Sequence, residues 1–436
     1  MASSRKVGFF GLFAVVAVSG VGTVVLLSGS GLGSTAKLAK SISAAKKVGL
    51  PLEISDLDIR PVPEEKNAAH IYRLLSSSFS KSQKEHSLID TASQRDAGPK
   101  DIQAADRALP KISSRIALLM QVERYPECNF NRDWSLGSKL MFPELGYMKQ
   151  SVTDLCYQAD YDDRHHDLAT ARRELAIASR IAVHAGSDPI LIGMLVEISA
   201  RQIVNREITS MIRRHSSDPS GLARLETDLQ QQAAFPQMRR YLAGEVVEGL
   251  RTIQTASSMR DLSFPSDSPA WQDAILRSSF VKTVFEGKFI DAWTQTWAKL
   301  PSHAEDWDGY SKPLKDMETA ISADRSPDNL MNQVLLPVFS ESTNQLGILL
   351  ARHRLLLAST ELLQIRARTG NLPKHLPSSL GELAIDPFDG DRLQYRRKGK
   401  GFVLYSVGSD RIDDGGVPRD PRSSRTMGFD EVVVIP

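Results

Sequence analysis

The sequence predicts a mainly α protein of antiparallel helical hairpins, a bundle or irregular solenoid, with one N-terminal transmembrane helix and a small β-rich C-terminal module. Three observations predict it: an uncharged apolar run at the start, helical periodicity from about Glu64 to Thr369, and a change of pattern after Leu372-Pro373.

The leading run Val7 to Leu27 carries no charge and follows Arg5 and Lys6. At about 1.5 Å per helical residue it spans roughly 30 Å, the thickness of a bilayer core. Basic residues before such a run stay cytoplasmic, so the bulk of the chain is expected outside, in the periplasm of a bacterial inner-membrane protein. A cleaved signal peptide is the rival, because Ser28 and Ser30 are small residues near a cleavage point; the run is long for a signal core of about 7–15 residues. These features divide the chain into a tip, anchor and spacer over 1–34, a linker over 35–63, an exported helical domain over 64–371, and the module over 372–436. The linker reading rests on the basic, alanine-rich Lys37 to Lys47 and on the prolines between Pro51 and Pro63, which discourage helix.

Within the helical domain the apolar residues recur at helical spacing. Ala68, Tyr72 and Leu75 share a face, as do Ile112, Ile116, Leu119 and Met120. Leu168, Leu175, Ala178 and Ala182 form a stripe ending at Gly186. Asp188 and Pro189 then suit the cap and first position of the next helix. That helix is apolar on most sides through Ile190, Leu191, Met194, Leu195, Ile198, Ile203 and Ile208, which predicts a central place. A break follows at Asp218-Pro219-Ser220-Gly221. Ser340 to Arg368 is a second long helix, with Leu346, Leu349, Leu350, Leu356, Leu357 and Leu363 facing inward and Gly370 as its end.

The module opens with a short helix or turn over Leu380 to Ile385 and a turn at Asp386-Pro387-Phe388-Asp389-Gly390. Arg392 to Arg397, Phe402 to Tyr405 and Glu431 to Ile435 read as strands, the first two joined by a basic tip at Lys398 to Gly401. So small a unit lacks room for a large core and invites a metal staple.

Composition excludes several classes. A net charge of +2 over 436 residues gives no electrostatic case for nucleic acid. Two cysteines make neither a disulfide scaffold nor a cysteine-based zinc fold. Cys128 and Cys156 could still pair after export, yet Val152, Leu155, Cys156 and Ala159 share one face, which makes Cys156 an ordinary buried residue. Asp160 to Asp167 packs aspartates beside His165 and His166, but adjacent histidines diverge by about 100° on a helix. A solvated turn with its aspartates at the start of the next helix is the simpler account. Asp306-Trp307-Asp308-Gly309 reads as a turn. The phosphate-loop, nucleophile-elbow and zinc-protease signatures are absent.

The order Asp386-Pro387-Phe388, a Tyr395-Arg396 strand, a hairpin, then Leu404-Tyr405-Ser406-Val407-Gly408 and an acidic loop to Gly416 resembles the C-terminal part of type II secretion major pseudopilins. In that family the loop binds calcium. The resemblance implies Asp410, Asp413 and Asp414 as acidic ligands, with Leu404 and Ser406 where the family uses chain oxygens. The chemistry agrees, since calcium takes six to eight oxygens from carboxylates and carbonyls of a glycine-rich loop. The chain departs from that family in having Phe13 where a pseudopilin carries glutamate five residues past its Gly-Phe junction (here Gly8-Phe9), and a long helical region before the module. The helical part resembles bacterial membrane-anchored helical proteins of no assigned activity that end in this module.

Together these features predict a membrane-anchored scaffold or interaction protein, bound to envelope proteins and near a secretion or pilus-type machine, with calcium as its only cofactor and no catalytic residues. The alternative is an envelope hydrolase whose metal or acid and histidine groups converge only on folding.

Overall fold

The computed structural model describes residues 31–436 apart from 95, 233, 263–269, 304, 337–338 and 418–428. The anchor expected over Val7 to Leu27 and the Gly8-Phe9 junction lie outside those residues. The described chain is mainly helical, with one three-stranded antiparallel sheet.

After α1 (Gly31–Lys47), four short helices form one flank: α2 (Ala69–Lys81), α3 (Gln83–Ala92), α4 (Pro99–Asp106) and α5 (Ser113–Met120). The centre is α6 (Glu144–Arg164), α7 (Leu168–Ala185), α8 (Leu191–Arg214) and α9 (Pro219–Gln230). Then come α10 (Met238–Thr255), α11 (Ala270–Arg277), α12 (Ser279–Trp297), α13 (Trp307–Ala323), α14 (Leu330–Leu335) and α15 (Phe339–Thr369). The sheet is β1 (Gln394–Lys398), β2 (Gly401–Ser406) and β3 (Glu431–Ile435), in that spatial order. Leu404 pairs with Tyr395 on one side and Val433 on the other.

Among the described residues two large apolar clusters fill most of the interior, with two small ones beside them, and the same two long helices thread both large ones. Leu191, Met194 and Ile198 of α8 lie in one, with Phe339, Leu346 and Leu349 of α15. Farther along α8, Val204, Ile208 and Met211 lie in the other, with Leu355, Leu356 and Leu363 of α15. Apolar side chains on most sides of a helix require neighbours on most sides. The stretch Pro327–Thr369 is long and apolar enough to cross a bilayer by length and composition. Half of its most apolar window is buried inside the protein.

Several segments differ from what local patterns predict. The residues read as linker pack on the helical body. α1 lies against α12, with Ala45 fully buried and Leu38 and Ile42 beside the same cluster. The proline-rich part is extended but tied down: Leu57 is buried, the Arg60 carbonyl accepts Asn129 Nδ2 at 2.7 Å, and Glu53 pairs with Arg251 at 2.7 Å. α8 begins at Leu191 rather than Pro189, with Ile190 as its N-cap. Asp188 is drawn away by Arg132, 2.6 Å distant, and the Leu191 amide is met by Glu245 from α10 at 2.7 Å.

The acidic run also differs. Asp160, Asp162 and Asp163 form the last turn of α6, the negative end of its dipole, and only Asp167 caps α7. Cations offset two of these charges: Arg214 meets Asp160 at 2.7 Å and Asp163 at 2.5 Å, and Arg164 meets Asp160 at 2.8 Å. Cys128 and Cys156 are both buried and unbridged. Asp306 caps α13 through the Gly309 amide at 2.9 Å, as a turn residue should.

The C-terminal module keeps only a small cluster to itself, Val403, Tyr405 and Val432, and buries its other face in the helical body. Phe402, Leu404, Val433 and Ile435 are fully buried in the cluster that holds Leu355, Leu356 and Leu362 of α15. Arg352 pairs with Glu431, and Arg366 donates to the carbonyls of Lys400 and Ser216 at 2.8 and 2.6 Å. The helical body supplies the apolar contacts that a unit of this size lacks.

Candidate functional site

The C-terminal loop is organised by two buried aspartates. Asp386, 2% exposed, accepts from the Phe388 amide at 3.0 Å, the Val407 amide at 2.8 Å and Ser406 Oγ at 2.8 Å. It thereby welds the Asp-Pro-Phe turn to the end of β2. Trp307 Nε1 donates to the Pro387 carbonyl at 2.5 Å and its ring meets Phe388 edge-on, which fixes that turn to α13.

Asp430, 3% exposed, accepts from the amides of Asp414 at 3.3 Å and Gly416 at 2.8 Å. Burial pushes its carboxyl above the usual range, against those two amide bonds, and the charges of Asp414 and Asp413 push it further. Gly416 has φ +66°, and a β-carbon there would meet the Tyr405 ring at 2.5 Å, so the loop can pass this point only as glycine.

The residues implied as calcium ligands are placed as follows. Leu404 sits mid-strand in β2 with its side chain fully buried. Ser406 Oγ is turned to Asp386. Asp410 accepts the Ile412 amide at 3.1 Å and Asp413 the Gly415 amide at 2.7 Å. Asp413 also lies against the Tyr405 hydroxyl. Side chains alternate along a strand, so Ser406 and Tyr405 face opposite sides of the sheet. Asp430 takes the Asp414 and Gly416 amides with the charges of Asp413 and Asp414 beside it, while Ser406 belongs to the Asp386 cluster. Among the described residues no group of three or more His, Cys, Asp or Glu side chains is arranged to hold a metal ion. Asp430 was not singled out in the sequence because it follows the glycine loop at long range, just before β3.

Histidine and aspartate do meet in the helical body, at two places. His86 Nδ1 lies 2.8 Å from Asp154, whose other oxygen takes Arg115 at 2.6 Å. His215 Nε2 lies 2.7 Å from Asp163, which also holds Arg214. Each pair is closed by an arginine and ties helices together, and neither lines the cavities described next.

A groove of about 370 Å³ runs between α7, α8 and α9. Its walls follow helical spacing: Arg172, Leu175, Ala176, Ser179, Arg180, Val183 and His184 from α7, and Arg201, Val204, Asn205 and Ile208 from α8. Arg172 crosses it in a two-pronged pair with Asp228 of α9, at 2.6 and 2.7 Å. At one end His184 Nε2 faces the Pro126 carbonyl at 3.2 Å, so that nitrogen carries the proton, and Tyr72 donates to Nδ1 at 2.7 Å. Burial pushes His184 down to about 4, which keeps it neutral.

A second cavity of about 250 Å³ adjoins the first and is walled by Phe235, Leu349 and His353. Arg201, Asn205 and Gln232 line both. The sequence held one signal of this site: Arg201 and Asn205, four apart and so on one face of α8 with the apolar Ile198 and Ile208. Comparison with protein-family models, with curated proteins and with solved structures finds no match for the chain.

Proposed function

We propose that this chain is a non-enzymatic interaction protein of the bacterial envelope, anchored by Val7 to Leu27, whose groove between α7, α8 and α9 receives an envelope partner. The groove carries the reading: mixed apolar and hydrogen-bonding side chains from three helices line one channel, the make-up of a recognition surface. Helical arrays commonly bind on such inner faces. The pseudopilin-like end would place the protein near a secretion or pilus-type machine.

A calcium ion at the C-terminal loop belongs to the same proposal, with Asp410, Asp413 and Asp414 as the acidic ligands that the pseudopilin resemblance implies. The charges of Asp413 and Asp414 press on the buried Asp430 carboxyl, and a bound cation relieves that repulsion, which supports the reading.

Two measurements test these statements. A photo-crosslinker at Gln231, exposed on the groove rim, should capture a discrete envelope protein, while one at Arg397 on the distant hairpin tip should not. Equal or absent crosslinking from both sites sinks the groove reading. Thermal melting should shift upward with millimolar calcium relative to chelator, since sites of this class bind on the order of 10⁻⁴–10⁻³ M. The shift should vanish in Asp413→Ala; a curve indifferent to calcium removes the ion.

A further inference from the structure

Asn205 is 1% exposed, and neither its Nδ2 nor its Oδ1 has a hydrogen-bond partner in the protein. It lines both cavities, at the seam where they adjoin. An amide buried with both ends unpaired is strongly unfavourable, so native proteins give such groups a partner. The charged side chains that line the cavities are already engaged. Arg172 is held by Asp228, Arg201 by Glu197 at 2.7 Å and by the Ala234 carbonyl at 2.9 Å, Arg180 by the Glu123 carbonyl at 2.5 Å, and Glu305 lies 3.9 Å from Arg354. His353, edge-on to Phe235, is pushed down to about 4 by burial and stays neutral. The site therefore suits an uncharged ligand.

Along one edge a carboxamide presents an N–H donor and a C=O acceptor side by side in a plane. The ligand that satisfies both at once carries the reversed pair on one edge, as another carboxamide does, or the N–H and C=O of one residue in an extended peptide. We infer that Asn205 is the recognition residue of a binding site spanning the two cavities, and that its ligand is neutral and carries such an amide edge. Leu175, Val204 and Leu225 supply apolar walls around that edge, and the volumes suit a small molecule or a short peptide segment.

This inference rests on the groove reading above. Its test uses the purified full-length chain in detergent, with saturation-transfer NMR and three probes: propionamide, its charged isostere propionate, and capped tri-alanine. Propionamide and the tripeptide should receive saturation and propionate should not. A tripeptide that binds more tightly than propionamide assigns a peptide ligand; equal binding assigns a small carboxamide.

Asn205→Asp, of the same shape but lacking the donor, should weaken the amide probes at least about tenfold. Asn205→Leu should abolish their binding while raising Tm, because it removes two unpaired polar atoms at similar volume. No transfer to the wild-type chain, binding of propionate equal to propionamide, or unchanged binding in Asn205→Asp overturns the assignment and leaves Asn205 satisfied by solvent alone. Should Asn205→Leu not fold, the propionamide–propionate contrast in the wild-type chain still decides. Failure of the probes with Gln231 crosslinks intact sinks this site and spares the partner reading.

Discussion

Glu174 illustrates how burial turns a sequence position into a titrating device. It is 4% exposed on α7, its Oε2 has no partner, and its other bond is to Asp162. Burial first, then the charge of Asp162, pushes it up to about 9. The folded state thus holds a proton that the unfolded chain releases near 4.3. Linkage makes this contribution complete below that lower value and lost as pH rises through about 9. Glu207 acts in the same direction, pushed up to about 8, again mainly by burial. His184 and His353 act oppositely: pushed down to about 4, they lose their contribution as pH falls from about 6.5 toward that value. Glu174→Gln keeps a donor to Asp162 without needing a proton. It should stabilise the protein at pH 8 by about 1–3 kcal/mol in urea denaturation and flatten the decline between pH 5 and 9. A variant less stable than wild type at pH 8 would mean that Glu174 is ionised in the fold.

At the scale of elements, close approach between helices sets the geometry of the groove's neighbours. A β-carbon on Gly244 of α10 would lie 1.4 Å from the Pro189 carbonyl oxygen, a backbone atom that cannot swing aside. That contact holds α10 against the entry to α8, where Glu245, the next residue, meets the Leu191 amide. Gly244→Ala should cost about 3 kcal/mol or more, read as a lower urea midpoint, because backbone must move. An unchanged midpoint would show that α10 does not press on this turn. The helices themselves were legible: the stripes of α7 and α15, the break at Asp218-Pro219 and the three strands are where period and turn residues place them. Cap assignments were less so, since Asp188 fits the local pattern of a cap and yet is taken by Arg132, far away in sequence.

For the whole molecule the decisive fact is a shared core. Phe402, Leu404, Val433 and Ile435 are each fully buried against α15 and its neighbours. Each such burial contributes about 1.5–3 kcal/mol, so the four together rival the total stability of an ordinary domain, about 5–15 kcal/mol. A chain ending at residue 371 should therefore fail to give a cooperative unfolding transition and should bind hydrophobic dye. The intact protein should unfold α15 and the sheet together in hydrogen exchange. A truncated chain that melts at the wild-type temperature would separate the module from the helical body after all.

Local physics was sufficient for the elements and their apolar faces, because period, proline, glycine and charge act over a few residues. It was sufficient too for the turn at Asp386 and the hairpin after it. Which groups converge is a matter of packing. The pairing of Asp386 with Ser406, of the Asp414 and Gly416 amides with Asp430, and the stranding of Asn205 between two cavities join residues from separate elements. Burial then sets what those groups do, since a carboxyl or amide on a helix face has one chemistry in water and another when neighbouring helices close over it.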